Sequence, residues 1–164
     1  MGVFEEIAKD LKDGVFIGIR NCEYPSQFLI VKHKYGNKRW NLPGGGIKQA
    51  ELVPFAAIRE SLEEANIHIT RLRPVGREFT LRKKYGLVVI FAALEWEGLP
   101  IIGPDNPEIE ATRFVGMQEA KILYENQELE PAQYSILLIL EEYWDKPDAN
   151  IYGYLTVPPT IITL

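Results

Sequence analysis

The chain has few of the residues on which disulfide frameworks and soft-metal sites depend. Its 164 residues include one cysteine, Cys22, and two histidines, His33 and His68. A single cysteine cannot form an internal disulfide or supply a multi-cysteine zinc site. Two histidines are too few for a histidine-rich metal centre, and neither lies in a recognisable Ser-His-Asp arrangement, so covalent catalysis has little support.

Long apolar runs and an excess of positive charge are also missing. The longest apolar run, residues 87–94, has eight residues, against the about 18 that suggest a membrane-spanning helix. Residues 1–6 carry acids where a secretory signal carries bases. The net charge of −5 argues against binding to nucleic-acid polymers, but a metal ion can offset the charge of a nucleotide substrate. We therefore expect a cytoplasmic protein that does not associate with membranes.

The composition and length are those of one globular domain. The hydrophobic fraction is 46% and the charged fraction 25%, both ordinary for soluble proteins. A chain of this length buries roughly two-thirds of its unfolded surface and needs no covalent staples. No internal repeat, low-complexity tract or linker interrupts the sequence, so residues 1–164 are predicted to form a single domain.

The hydrophobic periodicity predicts an α+β sandwich with a mixed sheet. The predicted elements are a helix over 3–12, a hairpin of strands 15–19 and 27–34, a glycine-ending loop over 35–46, a helix over 52–66, strands over 68–82, 87–94 and 110–115, and helices over 118–124 and 131–144. The 87–94 strand is expected at the centre of the sheet, and 98–107 is a loop. The tail, 147–164, fits an edge strand, a dimer arm or a loose segment.

The helix predicted over 52–66 carries three acids on one face. With Glu60 at zero on a helical wheel, Glu63 falls at about −60° and Glu64 at about +40°. The opposite face, expected to dock on the sheet, holds Phe55, Ile58, Leu62 and Ala65. Acids spaced three or four residues apart repel by roughly 0.2–0.5 kcal/mol per pair. Divalent cations reverse that interaction, and Mg²⁺ prefers carboxylate oxygens; a solvated acidic face is the alternative.

Three consecutive glycines precede this helix at a fixed distance. Gly44–Gly46 would let the backbone approach a phosphate or offer a carbonyl to a metal. Gly45 lies six residues before Glu51, and Glu51 lies eight residues before Arg59, which directly precedes Glu60.

This spacing resembles the signature of the Nudix hydrolase superfamily, here over residues 45–67. The matching positions are Gly45, Glu51, Arg59, Glu60, Glu63, Glu64 and Ile67, and the approach Trp40-x-Leu42-Pro43-Gly44 is also similar. Two positions differ: Ser61 stands where the family has a bulky aliphatic residue, and Asn66 where it has a glycine. Asparagine is the next choice after glycine for a left-handed helix end, and neither change removes an acid.

The resemblance implies an α/β/α sandwich and hydrolysis that depends on Mg²⁺ or Mn²⁺. The usual substrate is a nucleoside diphosphate linked to another moiety. Nucleotide sugars, dinucleoside polyphosphates and nucleoside triphosphates all stay open, and so does a homodimer. A catalytically silent Nudix-fold module that binds or senses a nucleotide is the alternative function.

Carried over residue by residue, the resemblance implies a catalytic set and a metal-binding set. Glu60, Glu63, Glu64 and the Gly44 carbonyl would bind metal, and one of the acids would help to activate water. Glu51 and Arg59 would form an ion pair that holds the loop and orients Glu60, and Gly45 and Glu51 would be structural.

Other candidates lie outside the signature. Glu108 and Glu110 are candidates for a general base or an extra metal ligand from a later loop, or else are solvated acids. Residues 71–84 contain six basic residues and one acid, which favours phosphate steering or a solvated face. Trp40 would stack on a base or pack beneath the signature. Arg82 lies where some ADP-ribose hydrolases of the family have proline, and Tyr85 where dinucleoside polyphosphate hydrolases often have tyrosine.

Overall fold

The structure is a computed structural model that describes residues 12–79, 85–102, 106–146 and 162–163. These residues form, in chain order, β1 (Lys12–Ile19), β2 (Phe28–His33), β3 (Trp40–Asn41), β4 (Gly44–Gly46), α1 (Val53–Ala65), β5 (His68–Phe79), β6 (Tyr85–Glu97), β7 (Ile109–Val115), α2 (Met117–Glu125), α3 (Pro131–Tyr143) and β8 (Ile162–Thr163). Within these ranges, no helix has the length and apolar character needed to cross a membrane.

The strands form two sheets. The larger has the order β4-β1-β6-β5-β8, and the smaller has the order β3-β2-β7. Strand β1 runs parallel to β6, whereas the other pairs are antiparallel, so the larger sheet is mixed. Strand β6 lies at the centre of the larger sheet, as the apolar run predicted, and residues 90–93 are at most 3% exposed.

Helices cover the sheets on both sides, which confirms the predicted α+β class. Side chains of α1 pack in one apolar core with alternate residues of β1 and β2, among them Val15, Ile17, Leu29 and Val31. Side chains of α2 and α3 pack in a second core with the intervening residues Phe16, Phe28 and Ile30. Because successive strand residues point to opposite faces, odd-numbered residues of β2 face α1 and even-numbered residues face α2 and α3.

Two predicted features of the first 46 residues are wrong. The strands β1 and β2 form no hairpin, because the edges of β1 pair with β4 and β6. Arg20, just beyond β1, forms an isolated bridge with Phe28 of β2. The segment predicted as a loop over 35–46 contains β3 and β4. Gly44 allows this pairing, because a side chain there would overlap the Val15 carbonyl oxygen.

The predicted face of α1 is also wrong. Phe55 and Leu62 were expected to dock on the sheet, but they are 52% and 49% exposed. The helix instead buries Ala56, Ala57, Glu60, Ser61, Glu64 and Ala65. The small alanines let the helix approach the sheet closely; Ile58 is partly buried, and Ala65 is buried as expected.

The helix bounds and one helix end agree with the sequence. Helix α1 ends at Ala65, and Asn66 adopts the left-handed conformation (φ 56°, ψ 32°) while its N–H donates to the Leu62 carbonyl at 3.1 Å. The predicted helix over 3–12 lies almost wholly outside the described residues. Of the tail, Ile162–Thr163 pair as an edge strand with β5, and residues 147–161 lie outside the description.

Candidate active site

Two glutamates of α1 lie against the glycine strand β4. Glu60 and Glu64 are 9% and 4% exposed. A Cβ atom at Gly45 would lie 2.5 Å from Glu60 Oε1, and the Gly44 N–H donates to Glu64 Oε1 at 3.2 Å. Gly45 is therefore needed because the Glu60 carboxylate occupies the space of its side chain, whereas a side chain at Gly44 would overlap the backbone of β1.

The Arg59 guanidinium joins the loop to the helix. It donates to both oxygens of Glu51, at 2.8 and 3.0 Å, and to the Gly46 carbonyl at 2.9 Å. Its Nη1 atom lies 2.9 Å from Glu60 and 3.3 Å from Glu63. The hydrogen bonds from Arg59 lower the pKa of Glu51 to about 2. The ion pair predicted between Glu51 and Arg59 is present, and the same guanidinium reaches two further acids.

Glu64 is the most enclosed of the three acids, because only 6% of its side chain is exposed. Burial raises its pKa to about 7. His33 Nε2 lies 3.2 Å from Glu64 Oε2, and this contact raises the pKa of His33. The approach is close, but its geometry is not that of a hydrogen bond, and Glu64 Oε2 has no hydrogen-bonding partner among the described residues.

His33 was missed as a site residue at the sequence level. The signal available was its odd-numbered position in the strand predicted over 27–34, which puts it on the same face as Leu29 and Val31. That parity becomes informative only once α1 is known to cover this face.

Glu63 and Glu108 are connected through Asn106. The Asn106 side-chain amide donates to the backbone carbonyl of Glu63, and its Oδ1 atom accepts the Glu108 N–H at 2.9 Å. The Glu108 carbonyl accepts the Lys34 N–H at 2.7 Å. The loop that carries Glu108 is therefore attached both to α1 and to the end of β2, and the charge of Glu108 contributes to the raised pKa of His33. The role of Asn106 had no sequence signal.

A bulge in β7 sets the position of this loop. Lys32 pairs with Ala111 and His33 with Ile109, so Glu110 is an extra residue without a partner on β2. Bulges of this kind re-aim side chains next to functional sites. Ile109 is buried on the α1 side, whereas Glu108 and Glu110 are exposed.

The donors in this region suit a hard divalent cation. Carboxylates of Glu60, Glu63 and Glu64 supply only oxygen, which Mg²⁺ and Mn²⁺ prefer. The buried Glu64 Oε2 atom has no hydrogen bond of good geometry within the described ranges. In residues 12–79, 85–102, 106–146 and 162–163, no three acidic, histidine or cysteine side chains converge on one point. Glu63 is 54% exposed and can reorient, so the donor set fits such an ion after side-chain rotation.

The remaining candidates lie apart from these acids. Trp40 pairs with Lys32 in the sheet and packs against the α2–α3 core, so it lies on the opposite face from His33 and Glu64. Its ring has Arg113 Cζ at 4.8 Å and Lys32 Nζ at 6.0 Å. Tyr85 is the first residue of β6, and Arg82 lies outside the described residues.

Two arginines of the basic segment have structural partners. Arg71 forms an ion pair with Glu95 at 3.0 Å. Arg73 is 5% exposed and donates to the carbonyls of Tyr143 and Trp144 at the end of α3. Cations at a helix C-terminus satisfy its last carbonyls, so Arg73 supports α3 and has no contact with the acidic site.

The family model of the NUDIX domain matches residues 10–137. That match covers most of the chain and includes α1, the glycine strand and the loop before β7. The chain therefore belongs to the Nudix family. It is a hydrolase that acts on phosphoric anhydrides, a pyrophosphohydrolase in the general sense.

Solved structures with the same fold include several named Nudix proteins. The MutT protein of Methanosarcina mazei Go1 is 22% identical with a TM-score of 0.65, over 83% of this chain and 96% of that one. A MutT NUDIX hydrolase of Burkholderia pseudomallei is 21% identical with a TM-score of 0.60, over 79% and 97%. A NUDIX hydrolase of Nitrosomonas europaea is 16% identical with a TM-score of 0.61, over 80% and 89%. At these identities the likeness establishes the fold.

Proposed function

We propose that this protein is a divalent-metal-dependent pyrophosphohydrolase. Its substrate would be a nucleoside diphosphate linked to another moiety: a nucleotide sugar, a dinucleoside polyphosphate or a nucleoside triphosphate. Water would attack one phosphorus of the anhydride. The observation that carries the proposal is the burial of Glu60 and Glu64 against β4, where Gly45 leaves room for the Glu60 carboxylate and the Gly44 N–H donates to Glu64.

The proposed metal ligands are Glu60, Glu63, Glu64 and the carbonyl of Gly44, with Mg²⁺ as the ion and Mn²⁺ as a substitute. Burying two carboxylates costs free energy unless positive charge compensates them. Arg59 supplies part of that charge in the structure, and His33 adds to it when its imidazole is protonated. A bound divalent ion would polarise the anhydride and lower the pKa of a bound water.

Other residues would orient the reacting groups. Arg59, held by Glu51, would keep the Glu60 carboxylate directed at Gly45. Glu108 would act as the general base, since its carboxylate is exposed on a loop attached to Glu63 through Asn106. Proton transfer to such a group requires hydrogen-bond distance to the water in the substrate complex.

Substrate recognition is proposed for Trp40, Arg82 and Tyr85. The Trp40 ring lies near Arg113 and Lys32, on the opposite face of the sheet from Glu64, so a base stacked there would contact these cations and not the acids of α1. We further propose that residues 1–164 form one domain that acts in the cytoplasm on a small molecule, on the grounds of composition and the extent of the family match.

The test is product release from a panel of nucleotides with Mg²⁺ or Mn²⁺. The panel holds ADP-ribose, nucleotide sugars, diadenosine polyphosphates, and normal and oxidised deoxynucleoside triphosphates. The variants are Glu64→Gln and, as a matched control, Glu142→Gln, which alters an exposed glutamate of α3. We expect metal-dependent cleavage in the wild type and in Glu142→Gln, and its collapse in Glu64→Gln. Tight nucleotide binding without turnover of any panel member would support the silent binding module instead.

A further inference from the structure

The Glu64 carboxylate has a polar neighbour at each oxygen, and the two neighbours come from different sheets. Oε1 accepts the N–H of Gly44, in the five-stranded sheet, at 3.2 Å. Oε2 lies 3.2 Å from Nε2 of His33, in the three-stranded sheet. Helix α1 alone does not fix the direction of a glutamate with three rotatable bonds, so these two contacts set it.

His33 is itself held in place by β7 and by the loop that precedes β7. It pairs with Ile109 at the β7 bulge, and the next residue, Lys34, donates its N–H to the Glu108 carbonyl at 2.7 Å. Its side chain is 31% exposed, on the α1 side of the sheet. The imidazole therefore lies between the enclosed carboxylate of Glu64 and the loop that carries Glu108.

We propose that His33 is a positioning residue that fixes the Glu64 carboxylate for divalent-cation binding through its Nε2 atom. This inference rests on the proposed metal-dependent function and adds to it a residue outside the Nudix signature. Groups that hydrogen-bond to metal-ligating side chains orient those ligands, and their loss typically weakens metal affinity by about 10–100-fold.

The experiment compares His33→Leu with His33→Gln. Leucine keeps a similar volume and removes the donor, whereas the glutamine amide nitrogen can reach the place of Nε2. His68→Leu is the matched control, because His68 is the other histidine and is exposed at the start of β5. His33→Asn is a further variant, since its amide nitrogen corresponds to Nδ1 and falls short of Glu64.

Three quantities are measured for each variant: Mn²⁺ affinity from electron paramagnetic resonance titration without substrate, kcat and KM as a function of metal concentration, and the melting temperature. We expect His33→Leu and His33→Asn to weaken Mn²⁺ binding by about 10–100-fold. Their kcat should fall most at low metal, with KM for the nucleotide little changed. His33→Gln and His68→Leu should stay within about threefold of the wild type in Mn²⁺ affinity.

Two results would overturn the inference while leaving the proposed function intact. The first is that His33→Leu or His33→Asn binds Mn²⁺ as tightly as the wild type does, while Glu64→Gln no longer binds Mn²⁺. The other is equal impairment of His33→Leu and His33→Gln in proportion to a lowered melting temperature, which indicates a purely structural histidine. A wild-type protein that binds no Mn²⁺ overturns both the inference and the proposed function.

Discussion

In α1 the buried inner face carries polar side chains and the exposed outer face carries large apolar ones, which reverses the pattern of an ordinary surface helix. The inner face carries Glu60, Ser61 and Glu64, all at most 9% exposed, whereas the outer face carries Phe55 and Leu62, both about half exposed. A surface helix usually turns its apolar stripe to the core. Here the close approach to β4 is made by Ala56 and Ala57, and the long polar side chains reach the glycines.

This reversal lowers the stability of the helix in order to form the site. The Ser61 hydroxyl is fully buried and has no hydrogen-bonding partner in the part of the chain that the structure describes. Glu64 is buried with its pKa raised to about 7 by desolvation. Proteins break local rules of this kind mainly at functional sites, so changes on the inner face should affect activity strongly, and those on the outer face weakly.

The largest effect is expected for Glu64→Gln. Loss of this proposed metal ligand should remove several kcal/mol of stabilisation from the reaction, so activity should fall about a thousandfold. Without metal, the variant should nevertheless be the more stable protein at pH 8, because glutamine carries no buried charge there.

The sign of that stability change follows from the pKa of Glu64. Its folded pKa, about 7, lies above the ordinary 4.5, so wild-type stability from this group is lost as pH rises from about 4.5 through about 7. The raised pKa of His33 acts in the same direction. Urea unfolding in EDTA at pH 5 and pH 8 measures both proteins, and an equal fall in stability for both would contradict the expectation.

The next effect concerns Gly45→Ala. The added Cβ would lie 2.5 Å from Glu60 Oε1, so the carboxylate must move. A misplacement of about 1 Å near the chemistry can cost about a hundredfold in rate. Gly116→Ala is the control, because a Cβ there meets no atom within 4 Å. Steady-state kinetics of the two variants should differ by that factor, and equal rates would show that Glu60 tolerates displacement.

A smaller effect is expected for Glu51→Gln, on stability at acid pH. Hydrogen bonds from Arg59 hold the pKa of Glu51 at about 2. The wild type should therefore have stability from this pair that is present above about pH 4.5 and is lost as pH falls towards about 2. We expect about 1 kcal/mol between pH 6 and pH 3 from urea unfolding, after allowance for the exposure of the pair. The variant should lack this component, and parallel curves for both proteins would argue against it.

The smallest effect is expected for the outer face. The double variant Phe55→Ser, Leu62→Gln should change the free energy of unfolding by no more than about 0.5 kcal/mol and leave turnover unchanged. Ala57→Leu, its inner-face counterpart, should cost about 1–3 kcal/mol by overpacking. Melting curves measure the stability of these variants, and gel filtration measures their oligomeric state. A large loss in the double variant, with a change in oligomeric state, would mean that a second copy covers the outer face.

The parts of the site that could be predicted are those encoded within one stretch of chain. Residue spacing was enough to expect the Glu51–Arg59 ion pair, the left-handed Asn66 and the bounds of α1, because each depends on neighbours within about ten residues. The helical wheel placed Glu60 and Glu64 on the same face, as the structure has them, whereas Glu63 is exposed. It did not tell which side of the helix faces inward, because that depends on the space left by glycines of another element.

The parts that could not be predicted depend on distant segments. His33 meets Glu64 across 31 positions, and Asn106 meets Glu63 across 43. The division of β1 and β2 between two sheets likewise depends on β4, β6 and β7 taking their edges. Local periodicity contains no information on which strands compete for an edge.

The extra residue at Glu110 changes the phase of β7. Phe114 and Thr112 alternate onto the α1 side, and regular alternation would place Glu110 there next, but the bulge places Ile109 opposite His33 instead. A substitution alters the side chain at one position of a strand, whereas an insertion or deletion moves every later side chain to the opposite face. Loss of Glu110 alone would displace Glu108 and Asn106 by one residue against β2. The length of this strand is therefore a tighter constraint on the site than the identity of its exposed side chains.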